Sequence, residues 1–168
     1  MALGRFYTAE SGTCALATTT PSALFWAWPA AATVTMVIAC IRVGITSSGG
    51  TPYYPSNGIV QVQLVRATGT ITGGATITPS PHNTTDIAAN SAWRSASTAI
   101  TVQPTVGVVI WSQQIPFTAG ANWAEWVTPG FEWRVPASGT AGTGVALMTT
   151  QSSAGTNTAF TAEIVFAE

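Results

Sequence analysis

Charge is what this sequence has least of. Five basic and six acidic residues amount to 7% of 168 positions, where an ordinary soluble domain carries about 25%. The basic residues are all arginines (Arg5, Arg42, Arg66, Arg94 and Arg134), and lysine is missing. Scattered arginines with a net charge of −1 form no basic face, which excludes nucleic-acid binding driven by phosphate contacts. Histidine is nearly as scarce. His82 has no second histidine with which to share a metal or complete a triad; beside Asp86 it is a weak metal pair and reads instead as a loop residue. The glycine patterns of nucleotide-binding loops and the G-x-S-x-G turn are missing too. These absences point away from an enzyme and leave no cofactor or metal to be assigned.

Long hydrophobic runs are also lacking. The most apolar window, Ala23–Ile45, is broken by Pro29, several threonines and Arg42, short of the roughly 20 uninterrupted apolar residues of a membrane helix. The opening MALGRFYTAE has no apolar stretch behind its arginine, so it reads without a signal peptide. Only two cysteines occur; Cys40 lies in an apolar run and reads as a buried thiol, and pairing with Cys14 is not assumed outside a secretory context. Yet 46% of the chain is hydrophobic. An isolated monomer with so few ions has little to keep it from associating. The expectation is a surface covered by partner subunits rather than by a membrane.

What is there is β-structure. The stretch Thr33–Thr68 holds two β-rich runs around a Gly/Pro/Asn loop. In the second, Val60, Val62 and Leu64 alternate with Gln61 and Gln63, the mark of a strand with one wet face. The first is apolar on both parities: Val37, Ala39, Ile41, Val43 and Ile45 on one, Val34, Met36, Ile38 and Cys40 on the other. Such a strand is expected to need cover on both faces. The last strand alternates Phe160, Ala162, Ile164 and Phe166 with Thr161, Glu163 and Val165. The Thr/Pro-rich passage after Thr68 is expected to be a long excursion at one end of the fold. Asp86–Ser97 is the only segment with helical character, at most a short helix near 86–97. The reading is one all-β domain over 1–168, an antiparallel β-sandwich of about 8–10 strands, jelly-roll-like.

Aromatics concentrate in NWAEWVTPGFEWRVP, Asn122–Pro136. With Pro129-Gly130 as a hairpin turn, Trp126 falls opposite Trp133 and Glu125 opposite Arg134; a longer loop with shifted register is equally compatible. Glu125 and Glu132 among tryptophans resemble the ingredients of a glycosidase cleft, but no other polar groups would hold a sugar. The rings of Trp123, Trp126 and Trp133 would also serve as sugar-stacking platforms. Tryptophan in a sandwich more often belongs to a core or a protein interface. Trp123, Trp126, Phe131, Trp133 and Trp111 are therefore the candidate interface residues.

The order of features resembles small structural proteins of tailed bacteriophages: an entering strand, a long strand ending near a Gly-rich loop, then VQVQLVRAT (Val60–Thr68), a passage like TPSPHNTTDIAANSAW (Thr78–Trp93), and a closing strand AEIVFAE. The resemblance runs over nearly the whole chain, through loose motifs, and departs from the pattern in its many tryptophans. It implies a non-enzymatic head-decoration or cement protein located in the virion. Its partners would be copies of itself, as a homotrimer, and the major capsid protein. The alternative is a tail, host-recognition or carbohydrate-binding module that uses exposed tryptophans on a glycan.

Overall fold

Every regular element among the described residues (4–16, 22–30, 33–47, 59–69, 71–116, 122–127, 133–136, 143–151 and 158–168) of the computed structural model is a strand. The first seven are β1 (Phe6–Glu10), β2 (Cys14–Leu16), β3 (Ser22–Pro29), β4 (Met36–Ser47), β5 (Ile59–Thr68), β6 (Thr72–Ile77) and β7 (Ser80–Pro81). The remainder are β8 (Ser91–Val102), β9 (Thr105–Pro116), β10 (Asn122–Val127), β11 (Trp133–Val135), β12 (Thr143–Gln151) and β13 (Thr158–Ala167). They form two antiparallel sheets, one ordered β10-β4-β13-β1-β7 with β11 and β2 at its margins, the other β6-β8-β3-β12-β5-β9. Without β2, β6–β8 and β11, the eight main strands form two four-stranded sheets, β10-β4-β13-β1 and β3-β12-β5-β9, in the order of a jelly roll. The β-sandwich expected from the sequence is the fold.

Alternation drives the packing. Phe160, Ala162, Ile164 and Phe166 of β13 all point into the core, as do Val60, Val62 and Leu64 of β5. Trp93 sits at the centre of an aromatic group that ties the sheets together. Its ring lies edge-on to Phe25 at 5.8 Å and tilted against Phe166 at 4.7 Å, and Phe166 stacks on Tyr7 at 5.4 Å. Pairs in these geometries contribute about 0.5–1.5 kcal/mol beyond their buried area.

The double parity of the first run has a local cause. β13 pairs with β4 through Val165 opposite Cys40 and then Phe166 opposite Ile38, so Ala39 is an extra residue in β4. This bulge reverses the alternation, and Met36 and Ile38 before it face the same core as Ile41 and Val43 after it. Less of this strand than expected therefore needs a second cover: on the other face Val37 and Ala39 are half-buried and Arg42 is exposed, while Cys40 is buried beside the Glu125 carboxylate.

A second covered face does exist, on the other sheet. Ala23 and Trp26 of β3, Val65 and Ala67 of β5, and Ala146 and Met148 of β12 form a separate buried cluster, flanked by Trp28, Ile71 and Ile100. Its cover comes from the passage expected to be a loose excursion. The β5–β9 pair continues as the β6–β8 pair, which leaves one edge of the sheet and rejoins it at the other, where β8 pairs with β3. At the bend, the Gln103 side-chain carbonyl accepts a hydrogen bond from Ala23 N at 2.9 Å. Gly73, at φ 81°, supplies a backbone turn that side-chain-bearing residues rarely adopt, where β6 slips register against β8.

The expected helix near 86–97 is absent among the described residues. Ser91, Trp93 and Ser95 are buried while Ala92, Arg94 and Ala96 are half-buried, a period of two that makes this segment the start of β8. The preceding turn is held by the Glu168 carboxylate, which accepts from Asn90 N (2.7 Å) and Ser91 N (2.8 Å), and by the Tyr7 hydroxyl, which donates to Ile87 O (3.1 Å).

Candidate functional site

The described tryptophans of the aromatic segment gather at one lateral opening of the sandwich. Trp111 comes from β9, the edge of the six-stranded sheet; Trp126 and Trp133 come from β10 and β11, on the near edge of the other sheet. β10 and β11 do not form a hairpin with each other. Both pair with β4, end to end, with Trp126 opposite Ile41 and Trp133 opposite Ile38. Directly opposed residues share a face, and the bulge at Ala39 has put Ile38 and Ile41 on the same one. Trp126 and Trp133 are thereby brought to the same side. Their rings stack at 3.8 Å with 6° between planes. Trp111 leans against both, at 5.9 Å and 6.3 Å. All three are half-buried, and Trp111 and Trp133 also pack on the main core. The group closes the seam between the sheets.

The contact between Trp126 and Trp133 is the one a Pro129-Gly130 hairpin would bring about, but it arises from strands set end to end on β4, and the arginine that such a hairpin would place opposite Glu125, Arg134, is not its partner. Glu125 faces Arg42: Arg42 Nε donates to Glu125 Oε1 at 2.8 Å, and Arg42 Nη1 to Glu163 Oε1 at 2.6 Å. The three residues form a row across β10, β4 and β13 on the outer face of the seven-stranded sheet. Arg134 is elsewhere, its carbonyl accepting from Arg66 Nη2 at 2.6 Å. The hydrogen bond from Arg42 holds the Glu125 carboxyl below the usual carboxylate range, and Glu125 in turn raises Arg42. Trp123 lies on β10 opposite Gly44, and its side chain is outside the described set. Phe131, Glu132 and the Pro129-Gly130 turn also fall outside the described residues.

Other candidate chemistry does not assemble. His82 Nε2 is hydrogen-bonded with Thr8 Oγ1 at 2.7 Å, while Asp86 pairs with Arg5 at 3.6 Å. No group of three metal-ligating side chains occurs among the described residues. Cys14 and Cys40 are free and buried, and burial pushes both thiols up. A hollow of about 270 Å³ lies over Gly44 between Glu10, Arg42, Thr161 and Glu163; another of about 270 Å³ is lined by Trp28, Thr76, Thr78, Ser91 and Arg94.

One surface feature escaped the reading by motifs. Val102 at the end of β8 and Val106, Val108 and Val109 in the first half of β9 are exposed large hydrophobics. The signal for them is in the sequence, since no charged residue occurs from Ser95 to Ala124. Comparison with family models, with curated proteins and with solved structures gives no match.

Proposed function

We propose that this chain is a non-enzymatic structural protein of a virion, a capsid decoration or cement protein that self-associates, as a homotrimer, and clamps copies of the major capsid protein. The observation that carries this reading is the surface. A jelly-roll sandwich with 7% charged residues leaves a run of valines exposed on a long edge strand. Apolar surface of this kind on a soluble chain marks protein contact. A protein that binds only the assembled shell stabilises it by mass action.

Two of the three rings anticipated as a platform for the glycan-binding alternative are turned toward each other. Trp126 and Trp133 each spend one ring face on the other, and Trp111 leans against both. What supports that alternative is the hollow lined by Trp28 and Arg94. Native mass spectrometry combined with glycan-array binding separates the two. An oligomer without glycan retention, which associates with assembled shells and not with free capsid subunits, is the expected result. A stable monomer retained on a glycan overturns the proposal.

A further inference from the structure

The double glycine Gly73-Gly74 holds an arginine. Both residues take positive φ, 81° and 74°, which side-chain-bearing residues rarely adopt. A Cβ on Gly74 would come within 3.0 Å of Ser95 O, so bare backbone lets β6 lie close against β8. There Arg94 Nη1 donates to Gly73 O at 3.2 Å and to Gly74 O at 3.3 Å. A guanidinium is planar, and its N–H groups are fixed in a fork. With Nη1 spent on the backbone, Nε and Nη2 share the edge that remains. That edge has no hydrogen-bond or carboxylate partner among the described residues, whereas Arg5 and Arg42 each have a carboxylate.

Arg94 lines the hollow of about 270 Å³ shared with Trp28, Thr76, Thr78 and Ser91. The pairing register explains the empty space. Arg94 stands opposite Trp26 of β3 and Thr76 of β6, and two residues earlier Ala92 stands opposite Trp28. Directly opposed residues share a face, so a methyl group lies between larger side chains. Trp28 is half-buried, its ring leaning on buried Trp26 at 6.0 Å, and forms an apolar wall. Among the described residues of the lining, Arg94 is the one that carries charge. Glu168, whose carboxylate accepts from Asn90 N and Ser91 N, does not line the hollow.

We propose that this hollow binds a carboxylate, the acidic side chain of a partner protein, with an adjoining apolar residue of that partner packed on Trp28. The open edge of Arg94 presents parallel N–H groups that match the two oxygens of a carboxylate. One guanidinium with no second cation suits a singly charged anion better than a phosphate. A sugar ring would call for strong acceptors as well as donors, and no carboxylate or amide side chain lines the hollow. The site goes beyond the structural role proposed above and is tested separately from oligomeric state.

Chemical-shift mapping with the blocked dipeptide acetyl-Phe-Glu-amide tests this, against acetyl-Phe-Gln-amide, which has the same shape and no charge. The acidic peptide is expected to shift the resonances of Trp28, Thr76 and Arg94 saturably, and the neutral one to bind about tenfold or more weakly. Arg94→Lys keeps the charge without the fork and is expected to weaken binding by a similar factor. Ala92→Leu fills the hollow without altering the guanidinium and is expected to abolish binding, which covers the case in which Arg94→Lys disturbs the Gly73-Gly74 turn. The wild-type titration decides even if both variants misfold. Equal binding of the two peptides, shifts spread over the other arginines, or no shift at these three residues overturns the proposal. Tighter binding of inorganic phosphate or of glucuronate also overturns it, assigning the hollow to anions in general or to a sugar.

Discussion

Trp126 and Trp133 stack face to face at 3.8 Å although neither strand pairs with the other. Their contact depends on Ala39, a residue that touches neither in the ladder. Removing the bulge would leave Ile38 and Ile41 three residues apart on opposite faces, and the tryptophans opposite them would part.

The stack should behave as a coupled pair. Trp126→Ala, Trp133→Ala and the double substitution, compared by urea unfolding, are expected to give a coupling energy of about 0.5–1.5 kcal/mol. Additive single effects would mean that each ring acts through the core alone.

Thr149 is buried, and its hydroxyl has no hydrogen-bond partner. Valine keeps the shape and removes the unsatisfied group. Thr149→Val is expected to raise stability by about 1–3 kcal/mol, read as a higher midpoint in denaturant with an unchanged slope. A loss of stability would show that the hydroxyl is satisfied in solution.

Gly144 lies where β12 crosses close to β3, and a Cβ there would collide with the Ala27 carbonyl. Backbone yields less easily than a side-chain tip. Gly144→Ala is therefore expected to cost about 1–3 kcal/mol, despite the higher strand preference of alanine. A neutral result would mean that the two strands separate without loss.

The Glu125–Arg42 contact predicts a pH dependence with a definite sign. Arg42 depresses the folded-state pKa of Glu125, so the carboxylate's contribution is present above the ordinary glutamate range and disappears as pH falls through the depressed value. Wild type should exceed Glu125→Gln in melting temperature near neutrality, and the gap should close in acid. A gap that widens in acid contradicts the pairing. High salt should narrow it as well, because the groups are solvent-accessible.

Where one face of a strand was apolar and the other polar, its orientation was legible in advance. Val60, Val62 and Leu64 point inward as their spacing predicts, and β13 keeps its alternation from Phe160 to Phe166. Legibility failed where a single residue shifted the register or where a strand acquired cover from a distant segment. Val65 and Ala67 look like the continuation of a half-wet strand, yet they are buried beneath Ile71 and Ile100. Asp86–Ser97 combined small residues with an N-terminal acid, a helical hint that burial of Trp93 between Phe25 and Phe166 overrode.

All-β character, an interior built from period-two strands and a surface short of ions follow from composition and local spacing alone. That Trp126 meets Trp133, that Glu125 meets Arg42 and that the valines of β9 are left outside follow only from the folded arrangement. All three depend on which strands become neighbours, and the first also on the bulge at Ala39; pairing between segments far apart in the chain leaves no periodic trace in either one.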